Sequence, residues 1–370
     1  MTIDLIAGAR PNFMKIAPII DAIQTARDVG KNIQYRLVHT GQHYDQNMSS
    51  SFFEQLGIPH PDIQLGSGGG TQAEQTAKIM VNYERLLFER ACDLCIVVGD
   101  VNSTLACSLV AKKQNIRVAH VEGGIRSGDL TMPEEINRIV TDSITDYFFT
   151  TSETANRNLL KNGVPEDRIY FVGNTMIDTL MKHRARFVKP ALWDDLGLEK
   201  GKFIVMTLHR PSNVDEKTKL RALLLEITRS AKKTPVVFPV HPRTANIIQS
   251  FPRELSSFDR ENLSTLHLCP PLGYLEFNFL VENSLAVITD SGGITEETTV
   301  MGIPCITLRD STERPETIEL GTNELIGTNL PAIYPAFEKL FTGQWKKGTI
   351  PPLWDGKAAE RIVDILLQLS

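Results

Sequence analysis

A repeated alternation restricts what this chain can fold into more than any other feature. Short apolar runs rich in Val, Ile and Phe are followed, in most cases, by longer stretches whose apolar residues recur at helical spacing. Such runs suit strands of a sheet covered on both faces, and strands that alternate with helices build parallel α/β units. The first series comprises "IDLIAG", "YRLVHTG", "LCIVVGD", "RVAHVEGG", "DYFFTTS" and "RIYFVGN", with helical spacing over 12–27, 71–90, 103–113, 133–145 and 152–161. After Asp178 the spacing weakens through "KHRARFVKPALWDDLGLEKGK", whose charge and Pro/Gly content indicate a linker. A second series then runs "KFIVMTLHR", "TPVVFPVHP", "LSTLHLC", "LAVITDSGG" and "IPCITLRD". With 370 residues the chain exceeds what one core organises, since single cores stop growing at roughly 250–300 residues. The prediction is an α/β fold of two doubly wound domains, 1–180 and 200–350, with ligands in a cleft between facing strand ends. The segment "GKAAERIVDILLQLS" has the pattern of an amphipathic helix that can pack on either domain.

Charge narrows the partners. The formal net charge is -5 and no block of Lys or Arg occurs, which argues against nucleic acid or an anionic membrane. The start "MTIDLIAGARPNF" lacks the basic and apolar segments of a signal peptide, and no stretch reaches the roughly 20 apolar residues of a membrane span, so a cytoplasmic protein is expected. The five cysteines lie in apolar segments, as reduced packed thiols do, and "CDLC" at 92–95 has no second pair to make a metal site. "GSGGGT" at 66–71 matches neither a dinucleotide fingerprint nor a P-loop and is expected to be a loop before a helix. No cofactor and no metal is expected.

Polar residues concentrate just past the predicted strand ends. They fall in "GARPNFMK" (8–15), "GDVNST" (99–104), "HVEGGIRSGD" (120–129), "MPEEINR" (132–138), "LHRPSN" (208–213), "PVHPRT" (239–244), "TDSGG" (289–293) and "DSTERPE" (310–316). Turn chemistry explains any one of these, but eight together point to a site. Arg10 and Lys15 put two cations at the start of one helix, suited to a phosphate or to solvent alike. Asp100 follows a strand directly, as a helix N-cap or as a carboxylate on the floor of a site. Glu122 ends another apolar strand, where an unpaired charge is costly, so it needs a partner or a task in acid–base work. Glu134 and Arg138 are four residues apart on one helix face, the spacing of an ion pair. His209 with Arg210, and then His241, end successive strands of the second series. Ser291, Gly292 and Gly293 open a helix bare of side chains, which suits an anion, yet Glu296 and Glu297 follow at once.

Seven of these stretches with their neighbours, "GARPNFMK", "GDVNSTLA", "HVEGGIRSGD", "MPEEINR", "TLHRPSN", "TDSGGITEE" and "RDSTERPE", together with "GNTMIDTL" (173–180), resemble the non-hydrolysing UDP-N-acetylglucosamine 2-epimerases, in the family's order from residue 8 to about 328. The resemblance implies two Rossmann-like domains of the glycosyltransferase B type, with the last helix, about 355–370, returning to the first domain. It implies that Ser291, Gly292 and Gly293 hold the UDP phosphates and that Glu297 accepts hydrogen bonds from the ribose hydroxyls. Arg10, Lys15, His209 and Arg314 would then meet the diphosphate or sugar, Phe277 and Leu272 would border the uracil, and Arg138, Arg210 and His241 would complete the substrate contacts. Asp100, Glu122 and Glu134 match the family's carboxylates, without indicating which removes the proton. UDP-GlcNAc would be epimerised at C2 to UDP-ManNAc by elimination of UDP and re-addition, by a homodimer supplying surface polysaccharide. The segment "GQHYDQNMSSSFF" lacks the Arg that members with an activating second substrate site carry there, which implies no such site. "SGDLTMPEE" is similar to the branch that acts on 3-acetamido uronic acid sugars, so UDP-2,3-diacetamido uronic acid is the alternative substrate. A glycosyltransferase of the same fold is the rival class.

Overall fold

The computed structural model describes residues 1–42, 53–251 and 256–369. The chain divides into two compact units, 1–183 with 352–370, and 184–351.

The first unit holds a seven-stranded sheet: β1 (Thr2–Ala7), β2 (Gln34–His39), β3 (Ile63–Gln64), β4 (Leu94–Val98), β5 (Arg117–Val121), β6 (Tyr147–Thr150) and β7 (Ile169–Phe171). The order is β3-β2-β1-β4-β5-β6-β7 and every pairing is parallel. The second unit holds six parallel strands, β8 (Ile204–Thr207), β9 (Val236–Pro239), β10 (Leu266–Cys269), β11 (Ala286–Thr289), β12 (Cys305–Thr307) and β13 (Asn323–Leu325), in the order β10-β9-β8-β11-β12-β13. In both sheets the chain starts at the middle, winds to one edge, and then returns past its starting strand. The reversals fall between β1 and β4 and between β8 and β11. At such a point the connections leave in opposite directions, which opens a crevice at the carboxyl ends of the strands.

The apolar runs are strands because the sheets are covered on both faces. All five residues of β4 and all four of β8 and β11 are buried. One core face of the second unit gathers Ile204, Met206, Ile288 and Ile306, and the opposite face gathers Val205, Val237, Val287 and Cys305. Each large side chain buried in this way is worth about 1.5–3 kcal/mol. β3 and β13 are absent from the predicted strands because β3 has two residues and β13 is "NEL", so neither presents an apolar run.

The stretch expected to be a linker is structured. The Thr175–Arg184 helix runs through its start. Leu192, Trp193, Leu196 and Leu198 then pack on the second core, with the Trp193 ring 5.4 Å from both Phe203 and Phe279. Charged neighbours hid this apolar set in the sequence. The Ala358–Gln368 helix belongs to the first unit, where it packs on the Arg10–Asp28 helix. Asp178 caps its start, accepting from Ala358 N–H at 3.1 Å and Ala359 N–H at 2.7 Å, and the buried Trp354 donates its indole N–H to the Thr151 carbonyl at 2.9 Å.

Candidate active site

In the first unit the turn after β1 approaches its neighbour closely. A Cβ at Gly8 would lie 2.1 Å from Ser103 Oγ, so only glycine fits. The Gly8 and Ala9 N–H groups both donate to Asn12 Oδ1, at 3.1 and 2.9 Å, and Asn12 Nδ2 donates to the Val98 carbonyl at 3.0 Å. That clamp starts the Arg10–Asp28 helix across the β1/β4 switch, leaving Arg10 exposed and aiming Lys15 inward.

Glu122 finds its partner there, for Lys15 Nζ donates to Glu122 Oε2 at 2.7 Å with the two side chains 13% and 3% exposed. Glu122 also sits at φ +72°, a left-handed conformation that is uncommon outside glycine, with its N–H donated to the Phe149 carbonyl at 2.9 Å. The turn after β4 comes up beside it. A Cβ at Gly99, which has φ +69°, would lie 3.4 Å from Lys15 Nζ and 3.7 Å from Glu122 Oε2.

Asp100 is not a helix cap, since Val101 takes that position ahead of Asn102–Lys113. Its carboxylate pairs with Arg138, and its carbonyl accepts from Asn137 Nδ2 at 2.9 Å. The expected Glu134–Arg138 pair is not formed. Arg138 is buried and reaches Asp100 and Glu135, the latter at 2.8 Å, whereas Glu134 stays half-buried in the first turn of the Pro133–Ile144 helix. Glu135 also accepts from the Ser127 and Gly128 N–H groups at 2.9 and 3.0 Å. Burial works against its ionisation, but the Ser127 bond and the Arg138 guanidinium outweigh that and hold it below the usual range.

Beneath these residues lies a network that the sequence reading missed. His120 is fully buried, with Nε2 at 2.7 Å from the Gly99 carbonyl and Nδ1 at 2.7 Å from Asp142 Oδ1. Asp142 Oδ2 takes the Gly124 N–H at 3.0 Å and Arg126 at 2.6 Å. Burial opposes the Asp142 charge, yet the His120 bond and Arg126 keep its pKa low. His120 and Asp142 thus tie the Gly99 turn to the Glu122 turn. The signal in the sequence was a histidine inside an otherwise apolar strand, two residues before Glu122.

In the second unit the β8/β11 switch is stapled by Asp290. Its buried carboxylate accepts the His209 N–H at 3.0 Å, the Arg210 N–H at 3.0 Å and Asn213 Nδ2 at 2.9 Å. Those bonds outweigh burial and hold its pKa down. The His209 imidazole itself is 66% exposed, with Nδ1 3.8 Å from Asp290 Oδ1. Ser291, Gly292 and Gly293 are half-exposed at the start of the Gly292–Met301 helix, whose first turn carries no acidic residue. The two glutamates lie one turn deeper and are both occupied. Glu296 pairs with the buried Arg314, and Glu297 Oε1 accepts the Tyr274 hydroxyl at 2.8 Å. Burial, reinforced by Glu296, pushes Glu297 up to about 7 against the pull of the Tyr274 bond. Leu272 and Phe277 are half-buried at the edge of the second core. His241 is exposed and caps the Pro242–Gln249 helix, Nδ1 accepting the Arg243 N–H at 3.3 Å.

Among the described residues, no group of three or more His, Cys, Asp or Glu is arranged to hold a metal, and no helix is long and apolar enough to cross a membrane. Cys92 and Cys95 are buried free thiols, Cys92 pushed up to about 12 by burial with Asp4 beside it. Thr71, the last residue of "GSGGGT", caps the Gln72–Glu89 helix in a capping box with Glu74. The inference about an activating second site falls on residues 43–52, which lie outside the described residues.

A family model described as UDP-N-acetylglucosamine 2-epimerase matches residues 26–367. A curated UDP-N-acetylglucosamine 2-epimerase of Methanocaldococcus jannaschii is 40% identical over 99% of this chain and 99% of its own. A UDP-2,3-diacetamido-2,3-dideoxy-D-glucuronate 2-epimerase of Pseudomonas aeruginosa is 36% identical over 100% of each chain. The crystal structure of the M. jannaschii UDP-GlcNAc 2-epimerase in complex with UDP-GlcNAc and UDP matches with a TM-score of 0.86 and 39% identity, both chains covered in full. With these neighbours the chain shares a fold of the glycosyltransferase B type.

Proposed function

The chain belongs to the UDP-N-acetylglucosamine 2-epimerase family, and on that footing we propose that it interconverts UDP-GlcNAc and UDP-ManNAc by losing and regaining UDP. The observation that carries the mechanism is the pair of carboxylates ending adjacent strands, Asp100 beside Arg138 after β4 and Glu122 beside Lys15 after β5.

The C2 hydrogen of the sugar is not acidic by itself. Cleavage of the C1–O bond to UDP gives C1 oxocarbenium character, and a carboxylate can then take the C2 proton while the C1–C2 double bond of 2-acetamidoglucal forms. UDP departs with the bonding pair. In the return step UDP attacks C1 and a proton reaches C2 on the other face, giving the epimer with no net gain or loss of atoms and with the C2 hydrogen exchanged. Two carboxylates, each with its own cation, suit a reaction that removes a proton on one face and delivers it on the other. The half-exposed Ser291–Gly293 helix start is suited to the diphosphate through the Gly292 and Gly293 N–H groups and the helix dipole, the Ser291 N–H being donated to Thr289 Oγ1 at 3.0 Å. His209, Arg10 and Lys15 supply positive charge for the departing UDP. In this reading Glu297 takes the ribose hydroxyls, so a carboxylate beside an anion site is no contradiction.

The full-length match to the P. aeruginosa relative favours a second substrate, a UDP-2,3-diacetamido uronate, handled by the same chemistry. Proton NMR in deuterated water with EDTA, on each sugar nucleotide in turn, distinguishes the two. The expected result is an epimer with deuterium at C2, formed reversibly and without added metal or NAD. No exchange and no epimer with any of these substrates would refute the proposal, and turnover only with an acceptor present would make the protein a transferase.

A further inference from the structure

We propose that Tyr274, with Asn278 beside it, is a positioning residue that makes Glu297 a reader of the ribose diol. The proposal rests on the reading of Glu297 given above and extends it to two residues outside that reading.

Glu297 is the sixth residue of its helix, one turn beyond the half-exposed Ser291–Gly293 start, and its side chain is almost fully buried. A carboxyl in that position is ambiguous toward a diol. Ionised, it accepts from both hydroxyls; protonated, it offers one hydrogen and a reduced acceptor capacity. The group titrates near neutrality, so its surroundings decide which form a nucleotide meets. Tyr274 resolves the ambiguity. Its hydroxyl donates to Oε1 at 2.8 Å, which favours the carboxylate and fixes the plane of the group, leaving Oε2 to receive further donors.

Asn278 points the same way. It lies one turn after Tyr274 on the Tyr274–Asn283 helix and is fully buried, yet neither amide atom makes a well-formed hydrogen bond. Its amide is near enough to Glu297 to draw the ionisation downward. Buried amides are rarely left unsatisfied, and the group this one is coupled to is the Glu297 carboxylate. The same helix carries Phe277 and is preceded by Leu272, the residues expected at the base. One rigid element therefore supports both ends of the nucleoside.

The test compares Tyr274→Phe with wild type by calorimetric titration of UDP and of 2′,3′-dideoxyuridine diphosphate. The ring stays in the core and only the hydroxyl is lost, so melting should change little. We expect wild type to prefer UDP by roughly tenfold or more, as hydrogen bonds to a charged group typically give. Tyr274→Phe should bind UDP roughly tenfold more weakly while binding the dideoxy analogue as wild type does. Asn278→Ala should show the same selective loss. Equal weakening of both nucleotides, or unchanged UDP affinity, would overturn the proposal. A wild type that does not distinguish the two nucleotides would overturn the Glu297 reading itself, whereas a selective loss in Glu297→Gln without one in Tyr274→Phe would leave that reading standing and remove Tyr274.

Discussion

Glu122 carries two separate constraints, a left-handed backbone and a buried charge paired to Lys15. The first costs about 1–3 kcal/mol in a residue with a Cβ, and the second would be expensive without its ammonium. Lys15→Met should therefore lower stability by about 3 kcal/mol, since it takes the ammonium away from a buried carboxylate. Glu122→Gln keeps the shape and removes the charge. It should unfold near wild type in urea but lose roughly 100-fold or more in kcat, the usual contribution of an acid or base. A rate within a few-fold of wild type would take Glu122 out of the chemistry. Glu297 gives a pH prediction of known sign. Raised from 4.5 to about 7, it keeps a proton in the folded protein that the unfolded chain has already released. Its contribution is most favourable below about 4.5 and is lost as pH rises through 7, by up to about 3 kcal/mol. Glu297→Gln should be nearly free of this term, so urea melts at pH 5 and pH 8 should differ less for the variant than for wild type. At this scale positions were legible in the sequence and partners were not. The place of Asp100 and Glu122 at strand ends was visible, but the choice of Arg138 between Glu134 and Glu135 was not. The i,i+4 rule favours the first, while two backbone N–H groups and burial commit the arginine to the second.

Among the elements, apolar runs announced themselves, and the edge strands that lack one, β3 and β13, did not. β4 and β8 are continuous apolar runs, whereas β13 has only three residues, one of them Glu324. The 180–200 stretch was misjudged because its four packing residues are diluted by charge, a case where tertiary burial decides and local composition does not. The Ala358–Gln368 helix was legible as amphipathic, but nothing local said what would hold it. Asp178 does so from 180 residues away in sequence. Burial pushes that carboxyl up to about 6, although both helix N–H groups pull it down. Asp178→Ala removes the cap and should cost about 1–2 kcal/mol in the first unit. Amide hydrogen exchange should speed up in residues 358–368 and leave β8–β13 unchanged; equal loosening in both units would refute the capping role.

Across the whole molecule, each sheet reverses at its starting strand, and the residues of interest gather at those two reversals. The sequence allowed this to be anticipated because strand-end polarity survives even where strand lengths are misread. If the first unit supplies the proton-transfer groups and the second holds UDP, the two functions should separate by mutation. Asp100→Asn should lose roughly 100-fold or more in kcat while UDP binds within twofold of wild type. Gly292→Ala, at the start of the helix proposed to face the phosphates and with its new Cβ 3.0 Å from Glu313, should weaken UDP binding first. Titration calorimetry beside steady-state rates checks both.

Residues 352–370 complete the first unit after the whole of 184–351 has been threaded through the second. A nascent chain thus has every residue of the second unit before it has the last helix of the first. Until Ala358 and Ala359 emerge, the Asp178 carboxylate and the part of the Arg10–Asp28 helix that packs on the Ala358–Gln368 helix stand uncovered. Of the two units, the one whose synthesis starts first is completed second, and during that interval it is the one a chaperone or protease would meet.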